Sequence, residues 1–291
     1  MTWKRVATAV VLAPVVVGLV LWGSTAIVSI AIALVTLLSL FEYFALGEAI
    51  GHRAYRFWTG TCSLVLIYAQ WRAVSEPTYK LAGGIIAHER SESLAGGALP
   101  LDAVFFLLVL GIAALTLATR RPLVEVLPAA GISASGFILV AFPLSFAIRL
   151  HGAGPQGPTL LLFALVIVWV SDTAAYFAGR AIGKHPFAPR LSPNKTWEGA
   201  AAGFLASLAV AFVFMPWVNV PLGHLLAMAA LGNIAGQVGD LLESGYKRSA
   251  GIKDSGSLLP GHGGVLDRID ALILAIPVVW YYWLLIYSPK S

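Results

Sequence analysis

Nine charged side chains are concentrated in one segment near the C-terminus, and this is where chemistry is first expected. The segment runs from Gly239 to Asp270, reads GDLLESGYKRSAGIKDSGSLLPGHGGVLDRID and lies between two long apolar stretches. A charged side chain at the centre of a bilayer costs about 2.5–3.5 kcal/mol on the insertion scale, so a hydrophobic chain does not need this cluster merely to cross a membrane. The segment therefore predicts a polar cavity that does chemistry or transport.

The acids of this segment have a spacing that suits a metal ion. Asp240, Ser244 and Lys247 recur at helical spacing, as do Asp267 and Asp270, so each helix can direct polar groups toward one place. Carboxylates from two helix ends suit Mg²⁺, a hard ion that takes oxygen ligands and is usually shared with substrate phosphates. The alternative is that the acids only form ion pairs with the bases of the segment, which are Lys247, Arg248, Lys253 and Arg268.

Between the two predicted helices, a glycine-rich loop could contact an anion. It contains Lys253-Asp254-Ser255-Gly256 and Pro260-Gly261-His262-Gly263-Gly264, and glycines allow positive φ and close approach of backbone N–H groups. An ordinary turn between two helices is the alternative interpretation. His262 could be a general base, a phosphate donor or a turn residue, and its spacing does not decide among these roles.

A second polar block precedes the first in the chain and is more basic. It runs from Ser171 to Gly199 and reads SDTAAYFAGRAIGKHPFAPRLSPNKTWEG. Asp172 ends a strongly apolar run, so it is expected inside or at the rim of the bilayer, with a partner or an ion from another helix rather than Arg180. Three prolines then break the helix and leave a loop that could wrap an anionic ligand with Arg190, Ser192, Asn194 and Lys195.

The composition identifies the environment in which these blocks must work. Of the 291 residues, 58% are hydrophobic and 11% are charged, against roughly 25% charged in a soluble globular chain. We therefore predict an integral membrane protein. The net charge of +5 is spread singly through short loops, which argues against nucleic acid as a partner. Cys62 is the single cysteine, so an intrachain disulfide is excluded.

The apolar runs predict an all-α, polytopic fold of about nine transmembrane helices, because lipid requires every backbone polar group to be satisfied within the segment. We treat residues 1–291 as a single membrane domain, with N-terminal transmembrane helices in 1–157 and catalytic helices and cytoplasmic loops in 158–291. The predicted spans are 6–22, 26–47, 57–71, 103–119, 126–148, 159–181, 200–217, 222–239 and 271–287.

The distribution of basic residues predicts the orientation. With a cytoplasmic N-terminus, all but five of the 19 Lys and Arg residues fall on the cytoplasmic side, the five being Arg72, Lys80, Arg90, Arg149 and Lys290. Both polar blocks then face the cytoplasm. The first apolar run is long enough to span a bilayer and has no convincing cleavage site, so we interpret it as a signal anchor rather than a cleaved signal peptide.

At these residues the chain resembles the phosphatidate cytidylyltransferase family, the CDP-diglyceride synthases. The family signature is matched in type and spacing by Ser244, Lys247-Arg248, Lys253-Asp254, His262-Gly263-Gly264 and Asp267-Arg268-Ile269-Asp270. Two departures are Tyr246, where an aliphatic residue or Phe is usual, and Ala174, where the first block usually has Gly. Neither departure removes a charged group.

The resemblance implies that CTP and phosphatidic acid are converted to CDP-diacylglycerol and pyrophosphate, with Mg²⁺ required. It makes Asp240 and Asp267 the leading metal ligands, and it makes Asp172, Asp254 and Asp270 supporting acids. A phosphate clamp of bases and a substrate-binding set complete the expected site, with His262 as a further catalytic candidate. The bases are Lys195, Lys247, Arg248, Lys253 and Arg268, and the binding set adds Arg190, Ser192, Ser244, Gly263 and Gly264.

The implied location is the inner cell membrane, crossed several times, with the active site facing the cytoplasm. CTP, phosphatidic acid and membrane lipids are the expected partners, and a second copy of the chain is a candidate partner. Another CTP-dependent lipid enzyme, of the CDP-archaeol synthase or polyprenol kinase type, is the alternative within the same class. From a different class, an ion-coupled transporter would also contain buried carboxylates and broken helices.

Overall fold

The structure of the chain is a computed structural model that describes residues 2–75, 99–256 and 263–287, with side chains described from residue 11 onward. Two short π-helical segments, Phe137–Ala141 and Trp283–Tyr287, join α5 to α6 and extend α10. The helices are α1 (Thr2–Trp22), α2 (Thr25–Ala49), α3 (Arg56–Ser75), α4 (Leu101–Ala118), α5 (Leu123–Gly136), α6 (Phe142–His151), α7 (Gly157–Ile182), α8 (Trp197–Phe214), α9 (Leu222–Ser249) and α10 (Leu266–Tyr282). The prediction of a helical protein is confirmed for these residues.

Most of the predicted spans lie in helices that could cross a membrane. Within the described residues, seven helical segments are long and apolar enough to do so. The predicted span 57–71 lies in α3, which does not meet the same criterion. Of α1, which contains the predicted span 6–22, only the apolar segment Val11–Trp22 is described with side chains, so the count of nine and the orientation stay predictions. Large apolar side chains such as Phe57, Leu117 and Leu123 are exposed on the outer faces, as lipid contact requires. The protein is thus a multi-pass membrane protein.

Helix α10 joins the two halves of the molecule. Two hydrophobic clusters are found among the described residues, one formed mainly by α7 to α10 and the other mainly by α2 to α6. Leu272 and Ile276 of α10 belong to the first cluster, whereas Leu266 and Ile273 belong to the second. The N-terminal half therefore packs directly on the helix that begins with the predicted site residues.

Small residues and a buried amide hold α7, α8 and α9 close together. A Cβ at Gly203 of α8 would lie 2.7 Å from Ser171 Oγ of α7, so these backbones approach closely. The buried Asn233 side chain of α9 donates to Ser171 Oγ at 2.6 Å and to Ser207 Oγ of α8 at 2.9 Å. This network fixes the helices immediately beside Asp172, the residue after Ser171.

The loop after α7 forms a short hairpin rather than an irregular loop. Strands β1 (Pro186–Ala188) and β2 (Ser192–Thr196) pair antiparallel, with Pro186 opposite Thr196 and Ala188 opposite Ser192. Helix α7 ends at Ile182 with Gly183 as its C-cap, before the first of the three prolines, and the backbone that follows still has enough N–H donors for a two-stranded pair. Thr196 then starts α8 by accepting a hydrogen bond from Gly199 N–H at 3.2 Å.

Candidate active site

The two polar blocks meet through Lys195 and Asp240. Lys195 lies on β2, and its Nζ is 2.5 Å from Asp240 Oδ2 on α9. Ser244, one turn further along α9, points its hydroxyl at Asp240 Oδ1 at 3.5 Å. Helix α9 continues to Ser249, ten residues beyond the predicted span, and this extension carries the polar face out of the apolar region.

Lys247 lies between two carboxylates in the most enclosed part of the site. Its Nζ is 2.5 Å from Glu243 Oε2 on the same helix and 2.6 Å from Asp267 Oδ1 on α10. The three side chains are 11%, 5% and 8% exposed. Desolvated charges of this kind are stable only when they are paired, so the three groups depend on one another.

Asp267 also binds the glycine turn that precedes α10. Its Oδ2 accepts hydrogen bonds from Ser255 N–H at 3.0 Å and from Gly264 N–H at 2.8 Å. Gly263 has φ of +80°, and a Cβ there would lie 2.7 Å from Asp267 Oδ2. The turn therefore uses the Gly264 N–H group on a carboxylate of the protein itself, and direct phosphate contact by the turn stays a prediction.

Asp172, Asp240 and Asp270 bring further carboxyl groups to the same place. Asp172 repels Asp240 and is attracted to Lys195 and Arg268, while Asp270 repels both of the other acids. A Cβ at Gly239 would lie 2.5 Å from Asp270 O, so α9 and α10 are in direct backbone contact here. The partners of Asp172 thus come from other elements, as expected, and Arg180 donates instead to the Tyr176 hydroxyl at 3.3 Å.

The donors fit a hard cation by chemistry, although they are not arranged as a finished ligand set. In the described part of the chain, no group of three or more His, Cys, Asp or Glu side chains has metal-binding geometry. The expected ligands Asp240 and Asp267 are each paired with a lysine. Mutually repelling carboxylate oxygens are nevertheless the donors that Mg²⁺ prefers. Mg²⁺ binding therefore stays a prediction.

The remaining predicted residues differ in their contacts and in their exposure. Arg248 donates from Nε to Leu191 O at 3.3 Å and from Nη1 to Ile252 O at 3.1 Å, so it links the hairpin to the loop after α9. Its role as a phosphate ligand is untested. Ser192 is half-buried on β2, and His262 lies outside the described residues. Arg190, Lys253, Asp254 and Arg268 are exposed.

Two buried acids at the site were not selected from the sequence. Glu243 could have been found from its i,i+4 spacing to Lys247, which favours an ion pair on a helix. Glu42 on α2 is 2% exposed and contacts the start of α10, more than 200 residues away in the chain. In the sequence, Glu42 is an isolated acid in an apolar run. Its position inside a predicted membrane span was the single indication that it could have a functional role.

Residues 3–286 match the Cytidylyltransferase family, and the chain belongs to this family. It is 44% identical over 163 residues to the phosphatidate cytidylyltransferase of Brucella suis biovar 1, a match that covers 56% of this chain and 58% of that protein. The corresponding protein of Staphylococcus saprophyticus is 46% identical over 132 residues, covering 45% of this chain and 51% of the relative. The phosphatidate cytidylyltransferase of Haemophilus influenzae is 44% identical over 135 residues, a match that covers 44% of this chain and 46% of that protein. The chain thus spans about half the length of the curated relatives it matches.

Proposed function

We propose that this protein transfers the cytidylyl group of CTP to phosphatidic acid and so forms CDP-diacylglycerol and pyrophosphate. The observation that carries the proposal is the convergence of acids and lysines from both polar blocks at the Lys195–Asp240 and Lys247–Asp267 pairs. A site for two phosphate-bearing substrates needs both signs of charge, bases for phosphate oxygens and acids for a divalent cation. Relatives named phosphatidate cytidylyltransferase support the choice of this reaction within the family.

In the proposed reaction, a phosphate oxygen of phosphatidic acid attacks the α-phosphorus of CTP. The bond between the α-phosphorus and the oxygen that bridges to the β-phosphate breaks, and pyrophosphate leaves with that electron pair. A phosphate monoester has a second pKa of about 6 and is largely ionised near neutral pH, so the attack needs no strong general base. The work of the protein is to hold several anions together in line.

The bases would perform that work by offsetting repulsion between the substrates. Lys195 and Arg268 lie close enough to Asp172 to interact with it, so they are near the centre of the acidic cluster. When bound, Mg²⁺ would neutralise charge on the triphosphate and on the leaving pyrophosphate. Asp240 and Asp267 are the residues that would hold it, with Asp172, Asp254 and Asp270 in support.

The position of the site also suits one soluble and one lipid substrate. Tyr176, one turn after Asp172, is 60% exposed, and Val238, two residues before Asp240, is 51% exposed. Apolar surface beside carboxylates supports a cavity that opens both to lipid and to water. We place this cavity at the cytoplasmic face of the inner membrane, in agreement with the distribution of Lys and Arg, and a second copy of the chain remains a candidate partner.

Two radioactive labels on CTP test the reaction. The purified protein is incubated with phosphatidic acid, Mg²⁺ and CTP labelled either on cytosine or on the γ-phosphate, and the lipid is extracted. We expect cytosine label in the lipid and γ label in aqueous pyrophosphate. Transfer of γ label to a lipid would indicate a kinase, and cytosine label only on an archaeal-type lipid phosphate would indicate the other alternative. Uptake into sealed vesicles without nucleotide would instead indicate a transporter. When variants of the site acids are compared in this assay, Asp102→Asn is the matched control, because Asp102 is an exposed acid at the start of α4.

A further inference from the structure

Glu42 is a buried carboxylate in the second half of α2, a helix of the N-terminal part of the chain. Ionisable groups inside membrane segments are expensive, so each one found there requires compensating partners. The partners of Glu42 come from the loop and helix that contain Asp254 and Asp267, not from its own half of the molecule. A carboxylate of α2 therefore contacts residues that adjoin the candidate active site.

The carboxylate of Glu42 caps the N-terminus of α10. Its Oε1 accepts from Val265 N–H at 2.9 Å, and its Oε2 accepts from Leu266 N–H at 2.8 Å. The first N–H groups of a helix have no partner within the helix, and a residue just before the helix usually supplies an acceptor. Val265 occupies that place here and has no polar side chain. Glu42 supplies the missing acceptor and places negative charge at the positive end of the helix dipole.

Ser255 connects Glu42 to Asp267. Its hydroxyl donates to Glu42 Oε2 at 2.9 Å, and its backbone N–H donates to Asp267 Oδ2 at 3.0 Å. Gly264 lies between the same two acids, because its N–H donates to Asp267 and a Cβ on it would lie only 2.2 Å from Glu42 Oε2. Glu42 and Asp267 thus both contact Ser255 and Gly264, so the position of one carboxylate is linked to that of the other through these two residues.

We infer that Glu42 is a positioning residue for the reaction: it fixes Ser255 and the start of α10 so that Asp267 and Lys247 face the substrates. The inference rests on the proposed function, and it assigns a task in the active site to the N-terminal half. Glu42 touches no substrate in this account. It acts through the hydrogen bonds that orient Asp267, and Asp267 in turn holds Lys247 at 2.6 Å.

The test compares Glu42→Gln with Glu48→Gln, which changes the same residue type six positions further along α2. Glu48 forms an ion pair with Arg56 away from the turn and is the matched control. For Glu42→Gln, kcat per folded molecule at saturating CTP and phosphatidic acid should fall at least about tenfold, since charge-assisted hydrogen bonds are lost. Ser255→Ala removes one of the three hydrogen bonds and should cause a smaller fall. Glu48→Gln should match the wild type.

Hydrogen exchange gives a readout that does not require turnover. Amide exchange at Ser255 and at Gly264 to Leu266 should accelerate in Glu42→Gln and stay unchanged in Glu48→Gln. A folded Glu42→Gln protein with faster exchange but wild-type kcat would overturn the positioning role, because the turn would then move without affecting the reaction. Unchanged exchange would overturn it as well.

If Glu42→Gln does not fold, Ser255→Ala tests whether Glu42 has a positioning role. A normal melting temperature with reduced kcat would support the inference, and a normal kcat would refute it. A purely structural role for Glu42 predicts fewer folded molecules with wild-type kcat and KM. If the wild-type protein forms no cytidylyl lipid, the proposed function fails, while the exchange experiment still tests the link between Glu42 and the turn.

Discussion

The two lysines of the candidate site lie in different surroundings. Lys247 and its partner Asp267 are 11% and 8% exposed, whereas Lys195 and its partner Asp240 are 28% and 29% exposed. The first pair is fixed between two helices, the glycine turn and Glu243. The second pair joins a helix to a short hairpin whose far end is exposed. The difference suggests a rigid centre on α9 and α10 and a more accessible edge that the hairpin contributes.

This comparison indicates how the site divides its tasks. A group held by several buried hydrogen bonds keeps its geometry when substrates enter, which is what electrostatic stabilisation of a reacting phosphate requires. An accessible lysine can instead leave its carboxylate partner and follow an incoming anion at low cost, because exposed ion pairs contribute about 0–1 kcal/mol. We therefore expect changes in the rigid centre to affect turnover most strongly, and changes at the edge to affect mainly CTP binding.

Loss of a carboxylate in the rigid centre should have the largest effect. Asp267→Asn is expected to reduce kcat by about 10³-fold or more, since a preorganised charged group and an expected Mg²⁺ ligand are both removed. Asp240→Asn should reduce turnover as strongly although Asp240 lies at the accessible edge, because it is the other expected Mg²⁺ ligand. The labelled-CTP assay measures the loss, with Asp102→Asn as the control and gel filtration in detergent to verify folding. Near-normal activity of either variant at limiting Mg²⁺ would contradict the metal assignment.

Removal of Lys247 should affect stability as well as activity. Lys247→Met leaves Glu243 and Asp267 buried without their shared cation, and breaking a buried pair in this way costs about 3–5 kcal/mol. We expect a lower melting temperature in detergent and loss of turnover. The double variant Glu243→Gln with Lys247→Met should recover part of the melting temperature, because one uncompensated charge is gone, but not the activity. Recovery of activity in the double variant would show that Lys247 only neutralises Glu243.

Much of this arrangement could be predicted from local sequence. Apart from residue 119 and residues 215–217 at the ends of two spans, the predicted spans lie in helices, because long apolar runs in lipid have few other ways to satisfy their backbone. The meeting of the two polar blocks was also predictable, since carboxylates and bases within a membrane protein need partners. The Lys195–Asp240 pair confirms that the blocks meet.

What could not be predicted depends on tertiary packing. Nothing near Glu42 in the chain indicates that it caps α10, because the contact exists only when α2 packs beside that helix. The hairpin was predicted as a loop, since three prolines in eight residues obscure the alternation that marks a strand. Arg248 was assigned to phosphate from its charge and motif, and its contacts with Leu191 and Ile252 depend on where the hairpin lies.

Substitutions of Arg248 should have the smallest effect on the reaction, and they test directly whether the hairpin forms an accessible edge. If its guanidinium tethers the hairpin, Arg248→Lys should weaken that tether, because one ammonium cannot reproduce a planar fork that donates to two separate carbonyls. We expect kcat/KM for CTP to fall about two- to fivefold in both Arg248→Lys and Arg248→Ala, which is the size of one ordinary hydrogen bond. Steady-state kinetics at fixed ionic strength would measure it.

A phosphate ligand at this position predicts a different pattern of results. Arg248→Lys would then keep most of the activity because the positive charge remains, while Arg248→Ala would raise the KM for CTP more than about tenfold, as loss of a charged hydrogen bond does. Equal effects of the two substitutions therefore support the tether, and unequal effects contradict it. The tether also requires the hairpin to loosen in both variants, so amide exchange around Leu191 and Ile252 should accelerate together with the loss of CTP affinity. If a variant loses CTP affinity while amide exchange around Leu191 and Ile252 stays slow, Arg248 contacts the substrate instead. The hairpin edge would then be as rigid as the centre.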